Sequence, residues 1–229
     1  MSPAGYWRSR STAAALAVAL AGVAGITACA RTETPVAAVR ASDDGFNGTV
    51  VDPPLRPANV VLTDTDGARF DLGQPPPGKV TALFFGFTNC ADVCPTTMAD
   101  LAVARRSLPS ALAQKVSVVF VTVDPKRDTP AALEQWLGRF DPDFTGLRGP
   151  TDLVHRAERS LYLPESGDES LPKADHPSGH DAPTNNGKDY EVDHAGSVYL
   201  FGPGDKMVLH SGGTTPQQYA EDFTHLLQP

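Results

Sequence analysis

One stretch of the sequence decides the fold: Val80-Thr81-Ala82-Leu83-Phe84-Phe85-Gly86-Phe87-Thr88-Asn89-Cys90-Ala91-Asp92-Val93-Cys94-Pro95. Its first half, residues 80–87, is an unbroken apolar run, which is typical of a strand buried on both faces. A helical pattern begins near Cys94, so the turn between strand and helix brings Cys90 and Cys94 to the carboxyl edge of the sheet. Exposed thiols at such a turn indicate chemistry, either disulfide exchange or the binding of a soft metal ion.

The segments around this stretch alternate between strand and helix. The patterns predict strands over residues 79–87 and 116–123, and helices over residues 94–108 and 130–140. Apolar strands that alternate with helices favour a central sheet with parallel members and helices on both faces. The sequence therefore predicts an α/β fold.

Shorter strands are predicted on both sides of this core. Upstream, residues 59–63 and 68–72 flank Asp66-Gly67, which is a hairpin signal, so we expect an added N-terminal hairpin in a mixed sheet. Downstream, the patterns predict a strand over 145–147, a helix over 152–161, a hairpin of strands over 197–201 and 207–210, and a final helix over 216–227. The polar stretch 164–188 predicts a surface loop.

The N-terminal residues resemble an export signal. Arg8 and Arg10 precede the apolar residues 13–26, which are too few and too rich in alanine for a membrane span. The run Ile26-Thr27-Ala28-Cys29 then resembles the lipobox of bacterial lipoproteins. We therefore predict a signal peptide over 1–28 and a lipid anchor at Cys29 that holds the protein on the extracytoplasmic side of the cell membrane. The alternative is a plain secretory signal, which leaves Cys29 as an ordinary thiol.

Composition and charge limit how many domains the chain can form and which classes of function it can have. Residues 29–48 lack apolar periodicity, which predicts a flexible tether, and residues 49–229 are predicted to form one domain large enough to bury its own core. The chain has three cysteines, so lipidation of one leaves only the close pair and no structural disulfide framework. A net charge of −8 and a pI near 5.1 argue against nucleic-acid binding.

The residues around the cysteine pair leave disulfide and metal chemistry both open. Pro95 suits the first turn of a helix, which places Cys94 at or close to the N-cap, where the helix start is predicted to lower the thiol pKa. Asp92 between the thiols favours a bound cation over an isolated thiolate. A third ligand would strengthen the metal interpretation. His194, just before a predicted strand, is the best-placed histidine, with Asp193 or a backbone carbonyl to hold its tautomer. The alternative is a surface histidine without a metal.

Two carboxylates follow the next predicted strand. Asp124 and Asp128 are expected beside the site, where they tune the ligands or contact a recipient protein. The alternative is structural: Asp124-Pro125 shapes a turn, and Asp128 or Thr129 caps the helix that begins at Pro130.

Three blocks of sequence together resemble the Sco/SenC family: Gly86-Phe87-Thr88 with Cys90 and Cys94-Pro95, then Val123-Asp124-Pro125-Lys126-Arg127-Asp128-Thr129-Pro130, then Val192-Asp193-His194. The resemblance implies a thioredoxin-like fold and one copper ion, Cu(I) or Cu(II), bound by Cys90, Cys94 and His194. It also implies a role in assembling the copper centre of cytochrome c oxidase. Ala91 departs from the family pattern, in which proline commonly follows the first cysteine.

Several alternatives accompany this interpretation. The main one is a thiol-disulfide oxidoreductase that acts on exported proteins through Cys90 and Cys94; the simplest is a structural disulfide between them. His176 and His180 in the polar loop form either an accessory Cu(II) site or part of a solvated insertion. Zinc suits the ligand types, but structural zinc sites normally use four protein ligands and no fourth is evident.

Overall fold

The computed structural model describes residues 38–40, 45–166 and 196–228. Nine strands and five helices occur in these ranges. The strands are β1 (Ala38–Arg40), β2 (Thr49–Asp52), β3 (Val61–Asp64), β4 (Arg69–Asp71), β5 (Val80–Gly86), β6 (Val116–Thr122), β7 (Thr145–Arg148), β8 (Val198–Phe201) and β9 (Met207–His210). The helices are α1 (Val93–Ser107), α2 (Ser110–Ala113), α3 (Pro130–Leu137), α4 (Thr151–Ser160) and α5 (Pro216–Leu227), and a 3₁₀ turn covers Pro203–Asp205.

The strands form one mixed sheet in the order β1-β2-β9-β8-β5-β6-β7-β3-β4. The neighbours β5, β6 and β7 are parallel, and the other pairs are antiparallel. Every residue of β5 is buried, as its unbroken apolar sequence predicts for a central strand covered on both faces. Core residues of α1, α3 and α5 pack on one face, and those of α4 pack on the other. The predicted α/β class, with a mixed sheet flanked by helices, is confirmed.

The predicted N-terminal hairpin is present as β3 and β4. Asp64 closes its turn, because one carboxylate oxygen accepts hydrogen bonds from the backbone N–H groups of Asp66 at 3.0 Å and Ala68 at 2.8 Å. Gly67 adopts a φ of +86°, which a glycine reaches without strain. The hairpin joins the main sheet through the antiparallel pairing of β3 with β7.

Ordered structure begins earlier than the predicted domain boundary at residue 49. The strand Ala38–Arg40 pairs with β2, which in turn pairs with β9, so the first two strands extend one edge of the sheet. Neither strand was predicted, since the segment has few apolar residues and its pairing partner is distant in sequence. The structure thus shows a strand at residues 38–40 and hydrogen-bonded backbone at residues 47 and 48 inside the segment 29–48, for which a flexible tether was predicted. We call residues 45–48 the N-terminal arm.

A buried carboxylate fastens the N-terminal arm to α5. Asp222 is fully buried and accepts hydrogen bonds from the backbone N–H groups of Asn47 and Gly48, each at 2.9 Å. The imidazole Nε2 of His210 on β9 lies 2.9 Å from the same carboxylate. Burial acts to raise the pKa of Asp222, but the hydrogen bonds from His210, Asn47 and Gly48 hold that pKa below its ordinary value. The arm is therefore part of the folded domain.

The described helices are short. None of those within 45–166 and 196–228 has the length and apolar character needed to cross a membrane.

Candidate metal centre

The two cysteines lie in the turn between β5 and α1. The N-cap residue of α1 is Asp92, so Cys94 is the second residue of the helix, close to the predicted N-cap position. Cys94 is fully buried, whereas Cys90 is half-buried in the turn. The backbone N–H of Cys94 donates to the sulfur of Cys90 at 3.4 Å. The turn thus brings the two side chains together at the carboxyl edge of the parallel strands.

The environment of Cys94 contradicts two expectations from the sequence. Its thiol is buried rather than exposed, and its pKa is raised rather than lowered. The main causes are the hydrogen bond with the Cys90 side chain and the burial, and the negative charge of Asp128 adds to them. A hydrogen bond with the Phe87 backbone opposes the rise without reversing it. The start of α1 does not outweigh these effects, so Cys90 is the sulfur better placed to meet a reagent from solvent.

Gly86 provides the space that the Cys94 side chain occupies. A methyl group added at Gly86 would lie 2.7 Å from the Cys94 sulfur and 2.8 Å from a ring carbon of Phe84. Both distances are shorter than van der Waals contact allows. A glycine inside an otherwise apolar strand is a known sign that another group approaches the backbone closely. Gly86 gave this sign in the sequence, but the sequence did not show that the approaching group is the Cys94 side chain.

We expect Gly86→Ala to lower the free energy of unfolding by about 1–3 kcal/mol, because overpacking displaces Cys94 or Phe84. Urea denaturation measures the change. Gly212→Ala is the matched control, since a methyl group there meets no atom within 4 Å. Equal stability of the two variants would contradict the packing role of Gly86.

Asp128 ties the cysteine turn to the end of β6. The side chain is fully buried and accepts hydrogen bonds from the Thr88 hydroxyl at 2.5 Å and the Thr88 backbone N–H at 3.1 Å. It also accepts one from the Thr122 hydroxyl at 2.5 Å. Thr88 lies two residues before Cys90, so the carboxylate fixes the path of the turn. Thr129, rather than Asp128, caps α3, because its side chain accepts from the backbone N–H of Ala132 at 3.2 Å.

Asp124 has a different partner. Its buried carboxylate forms an ion pair with the guanidinium of Arg127, which lies 5.7 Å from the centre of the Phe87 ring. Asp124 therefore positions Arg127 against the strand that leads to the cysteines. The two threonines bound to Asp128 and this arginine were not predicted as site residues. A polar residue that ends an apolar strand, such as Thr88 or Thr122, was the available signal.

The other predicted site residues lie outside the described residues: Cys29, His176, His180, Asp193 and His194. Among the residues that the structure does describe, no group of three or more histidine, cysteine, aspartate or glutamate side chains is arranged to hold a metal ion. The chain is described again from Gly196, where an added methyl group would lie 2.9 Å from a side-chain carbon of Val93. The backbone two residues after His194 is therefore in contact with the residue that precedes Cys94.

Comparison with known proteins identifies relatives of this chain. Residues 58–228 match the SCO1/SenC family. The mitochondrial protein SCO1 of Saccharomyces cerevisiae is 34% identical over 133 residues, which are 57% of this chain and 40% of the yeast protein. A SCO2-like protein of Rickettsia conorii is 30% identical over 154 residues, which are 65% of each chain. The present chain thus spans less than two thirds of the length of these curated relatives.

Solved structures share the fold. ScoI of Bradyrhizobium japonicum with copper bound aligns with a TM-score of 0.60 and 30% identity, over 75% of this chain and 99% of that one. Yeast Sco1 with copper bound aligns with a TM-score of 0.61 and 28% identity, over 75% of this chain and 88% of that one. The thioredoxin-like fold that the sequence resemblance implied is confirmed. Because the family match extends over most of the sequence and the solved structures agree with it, this chain belongs to the SCO1/SenC family.

Proposed function

We propose that this protein is a membrane-tethered, extracytoplasmic copper chaperone. It binds one copper ion through Cys90, Cys94 and His194. It then delivers the ion to the copper centre of cytochrome c oxidase, or prepares the thiols of that centre. Lipid at Cys29 holds it to the membrane. The observation that carries the proposal is the contact of Gly196 with the start of α1, because it returns the chain to the cysteine turn.

The position of Gly196 limits the distance that His194 must cover. Two residues of extended chain span at most about 7 Å. Gly196 leads directly into β8, and the register of β8 against β5 pairs Val198 with Phe84, near the end of β5 that leads to the cysteines. This path supports the choice of His194 as the third ligand.

The donor set suits copper. Two thiolates stabilise Cu(I), and nitrogen together with sulfur supports Cu(II). The half-buried Cys90 leaves one side of the site open, whereas Cys94 is enclosed by Gly86 and the core. Three protein ligands with an open side allow a ligand of the recipient to join before the original ligands leave. The Bradyrhizobium and yeast relatives, whose structures contain copper, support the choice of metal.

Neighbouring residues support the ligands. Asp128 holds the cysteine turn through Thr88, and Asp124 acts more remotely, through Arg127. Asp193 precedes His194 in the sequence and is proposed to orient its imidazole. The family resemblance supports cytochrome c oxidase as the recipient.

A thiol-disulfide oxidoreductase is the second candidate function. The hydrogen bond from the Cys94 backbone to the Cys90 sulfur favours it, since it stabilises negative charge on the more accessible sulfur. The raised pKa of Cys94 opposes a role for that thiol as the attacking nucleophile, so a reductase would attack through Cys90.

The experiment that tests the proposal is an anaerobic copper titration of the domain, followed by oxidation to Cu(II). We expect near-stoichiometric Cu(I) binding and a sulfur-to-copper charge-transfer band with Cu(II). We expect His194→Ala to lose that band, because the two thiolates alone do not complete the Cu(II) site.

The matched control is the double variant His176→Ala and His180→Ala, which removes the two histidines of the polar stretch 164–188. It should keep both the band and the stoichiometry if His194 is the ligand; a loss of copper uptake would instead support an accessory site. Retention of the band in His194→Ala would exclude the proposed ligand set. Disulfide reductase turnover in wild type and His194→Ala, with no copper bound by either, would favour the oxidoreductase.

A further inference from the structure

A pocket of about 280 Å³, which we call the basal pocket, lies at the end of the sheet opposite the cysteine turn. Its lining includes Lys79, which directly precedes β5, and the residues that join β8 to β9. The cysteine turn follows the other end of β5. A strand of seven residues is about 20 Å long, so the basal pocket and the two cysteines lie at opposite ends of the domain.

The N-terminal part of the chain enters the domain beside the basal pocket. In the register of β1 against β2, Ala38 pairs with Asp52, which is the last residue of β2. Residues 54–57, which follow β2, line the pocket. Cys29, the predicted site of the lipid, precedes Ala38 by nine residues, and a chain of that length spans at most about 30 Å. A lipid at Cys29 therefore keeps this end of the domain close to the membrane.

The lining of the basal pocket has more cations than carboxylates. It contains Arg56, Lys79 and Lys206, and Asp205 is the one carboxylate among the lining residues. Asp205 pairs with Arg56 at 2.6 Å. Both lysines are exposed, and neither forms an ion pair with a carboxylate in the parts of the chain that the structure describes. The pocket therefore carries positive charge in a chain whose net charge is −8.

The residues next to the basal pocket keep this balance of charge. The exposed Lys115 lies beside Lys79, because its backbone carbonyl accepts a hydrogen bond from the N–H group of Val80 at 2.8 Å. The exposed Asp52 precedes the lining residues 54–57. These neighbours add one cation and one carboxylate, so the excess of cations in the lining remains.

Acidic side chains at this end of the sheet gather on its other side. A second pocket, at the end of β3 and the start of β7, is lined by Asp64, Asp66, Glu134 and Asp143. In the sheet order, β3 is three strands away from β5, a distance of about 14 Å. An anionic surface repels this acidic side and attracts the basal pocket, so the two sides together would orient the domain.

An exposed tyrosine lies close to the residues that line the basal pocket. Tyr162 is 76% exposed and has a φ of +56°, a backbone conformation that favours glycine. Two residues before it, the hydroxyl of Ser160 accepts a hydrogen bond from the backbone N–H of Ala58 at 2.9 Å, and Ala58 follows the lining residue Pro57. An exposed side chain kept at a strained position indicates a function. Tyrosine suits the boundary between water and lipid, because its ring is apolar and its hydroxyl is polar.

We propose that the basal pocket binds the phosphate headgroups of anionic lipids, so that the domain rests on the membrane with its cysteine turn directed away from the bilayer. This inference rests on the membrane tether of the proposed function, because a lipid at Cys29 brings the pocket to the bilayer. Each basic residue close to an anionic membrane surface strengthens the attachment about 5-fold. The half-buried sulfur of Cys90 then faces the aqueous phase, where a partner protein can reach it.

Acylation of lysine side chains in the mature, lipidated protein tests the inference, with mass spectrometry as the readout. The protein is placed on bilayers of phosphatidylcholine alone and on bilayers that also contain phosphatidylglycerol. Lys79 and Lys206 should react at least about 5-fold more slowly on the anionic bilayer at low salt, and added salt should remove this protection. Lys126, which is exposed beyond β6 at the cysteine end, is the internal control and should react equally on both bilayers.

Two charge-reversal variants separate the basal pocket from the net charge. Lys206→Glu should return the acylation of Lys79 on the anionic bilayer towards its rate on phosphatidylcholine. Lys126→Glu makes the same change in net charge at the cysteine end and should leave Lys79 protected. Equal acylation of Lys79 on the two bilayers, or equal loss of protection in both variants, would overturn the inference alone if the chain carries its lipid. A mature chain without lipid at Cys29 would overturn the membrane tether, and the inference with it.

Discussion

Asp222→Ala is expected to lower the free energy of unfolding by about 2–4 kcal/mol, because each buried hydrogen-bond donor left without an acceptor costs about 1–3 kcal/mol. The carboxylate is fully buried and accepts the backbone N–H groups of Asn47 and Gly48 beside the imidazole of His210. Alanine leaves these donors buried without an acceptor. Urea denaturation at neutral pH measures the loss, and faster hydrogen exchange at Asn47 and Gly48 would show that the arm has detached.

The neighbouring residue supplies the control for Asp222. Glu221 is exposed and accepts one hydrogen bond from the Asn47 side chain at 2.9 Å. Glu221→Ala should change the stability by less than about 0.5 kcal/mol, as exposed polar contacts usually do. A similar small change for Asp222→Ala would mean that the carboxylate does not hold the arm.

The contribution of Asp222 also depends on pH. Its pKa is lowered in the folded protein, so the unfolded chain takes up the proton first as the pH falls. The stabilisation is therefore complete above the unfolded pKa, about 3.9, and is lost as the pH falls through the lower folded pKa. The difference in stability between wild type and Asp222→Ala should shrink as the pH falls through that acid range.

Asp128→Asn is expected to weaken copper binding by about 10- to 100-fold, the usual effect of losing a group that orients a metal ligand. Asparagine keeps the size of the side chain, but its amide cannot accept from Thr88 and Thr122 with both terminal atoms. The turn that carries Cys90 then loses its fixed path. Competition with a Cu(I) chelator of known affinity measures the change.

Variants of Thr88 separate the hydrogen bond from other effects at Asp128. Thr88→Val keeps the shape and removes the hydroxyl that donates to Asp128 at 2.5 Å, whereas Thr88→Ser keeps the hydroxyl. Copper affinity should fall for valine and stay close to wild type for serine. Equal affinities for the two variants would show that this hydrogen bond does not position the copper ligands.

Much of the fold could be predicted from local patterns. Patterns that extend over only a few residues, namely periodicity, turns and helix caps, predict the positions of β5, β6 and α5. Helix α5, for example, begins at a capping box formed by Thr215 and Gln218. The strands β1 and β2 were missed because β2 pairs with β9, more than 150 residues later, and β1 pairs with β2. A pattern among neighbouring residues does not reveal a contact between residues so far apart in the sequence.

The sequence predicted that the two cysteines share a turn, but it did not predict the burial of each sulfur. The spacing of Cys90 and Cys94 predicted a shared turn, and the structure places them there. Their unequal burial was not predictable, because it depends on the packing of Gly86, Phe84 and the core below α1. The pKa of Cys94 follows from that packing rather than from its position in the helix.

The two sulfur atoms differ in exposure, so the site can be approached from one side only. Any incoming protein or reagent approaches through Cys90, because Cys94 is covered on every side. An exchange reaction at this turn therefore starts at the outer sulfur and finishes at the inner one. In the proposed copper transfer, we expect the inner sulfur to release the ion last, so the ion stays bound until the bond to the recipient has formed.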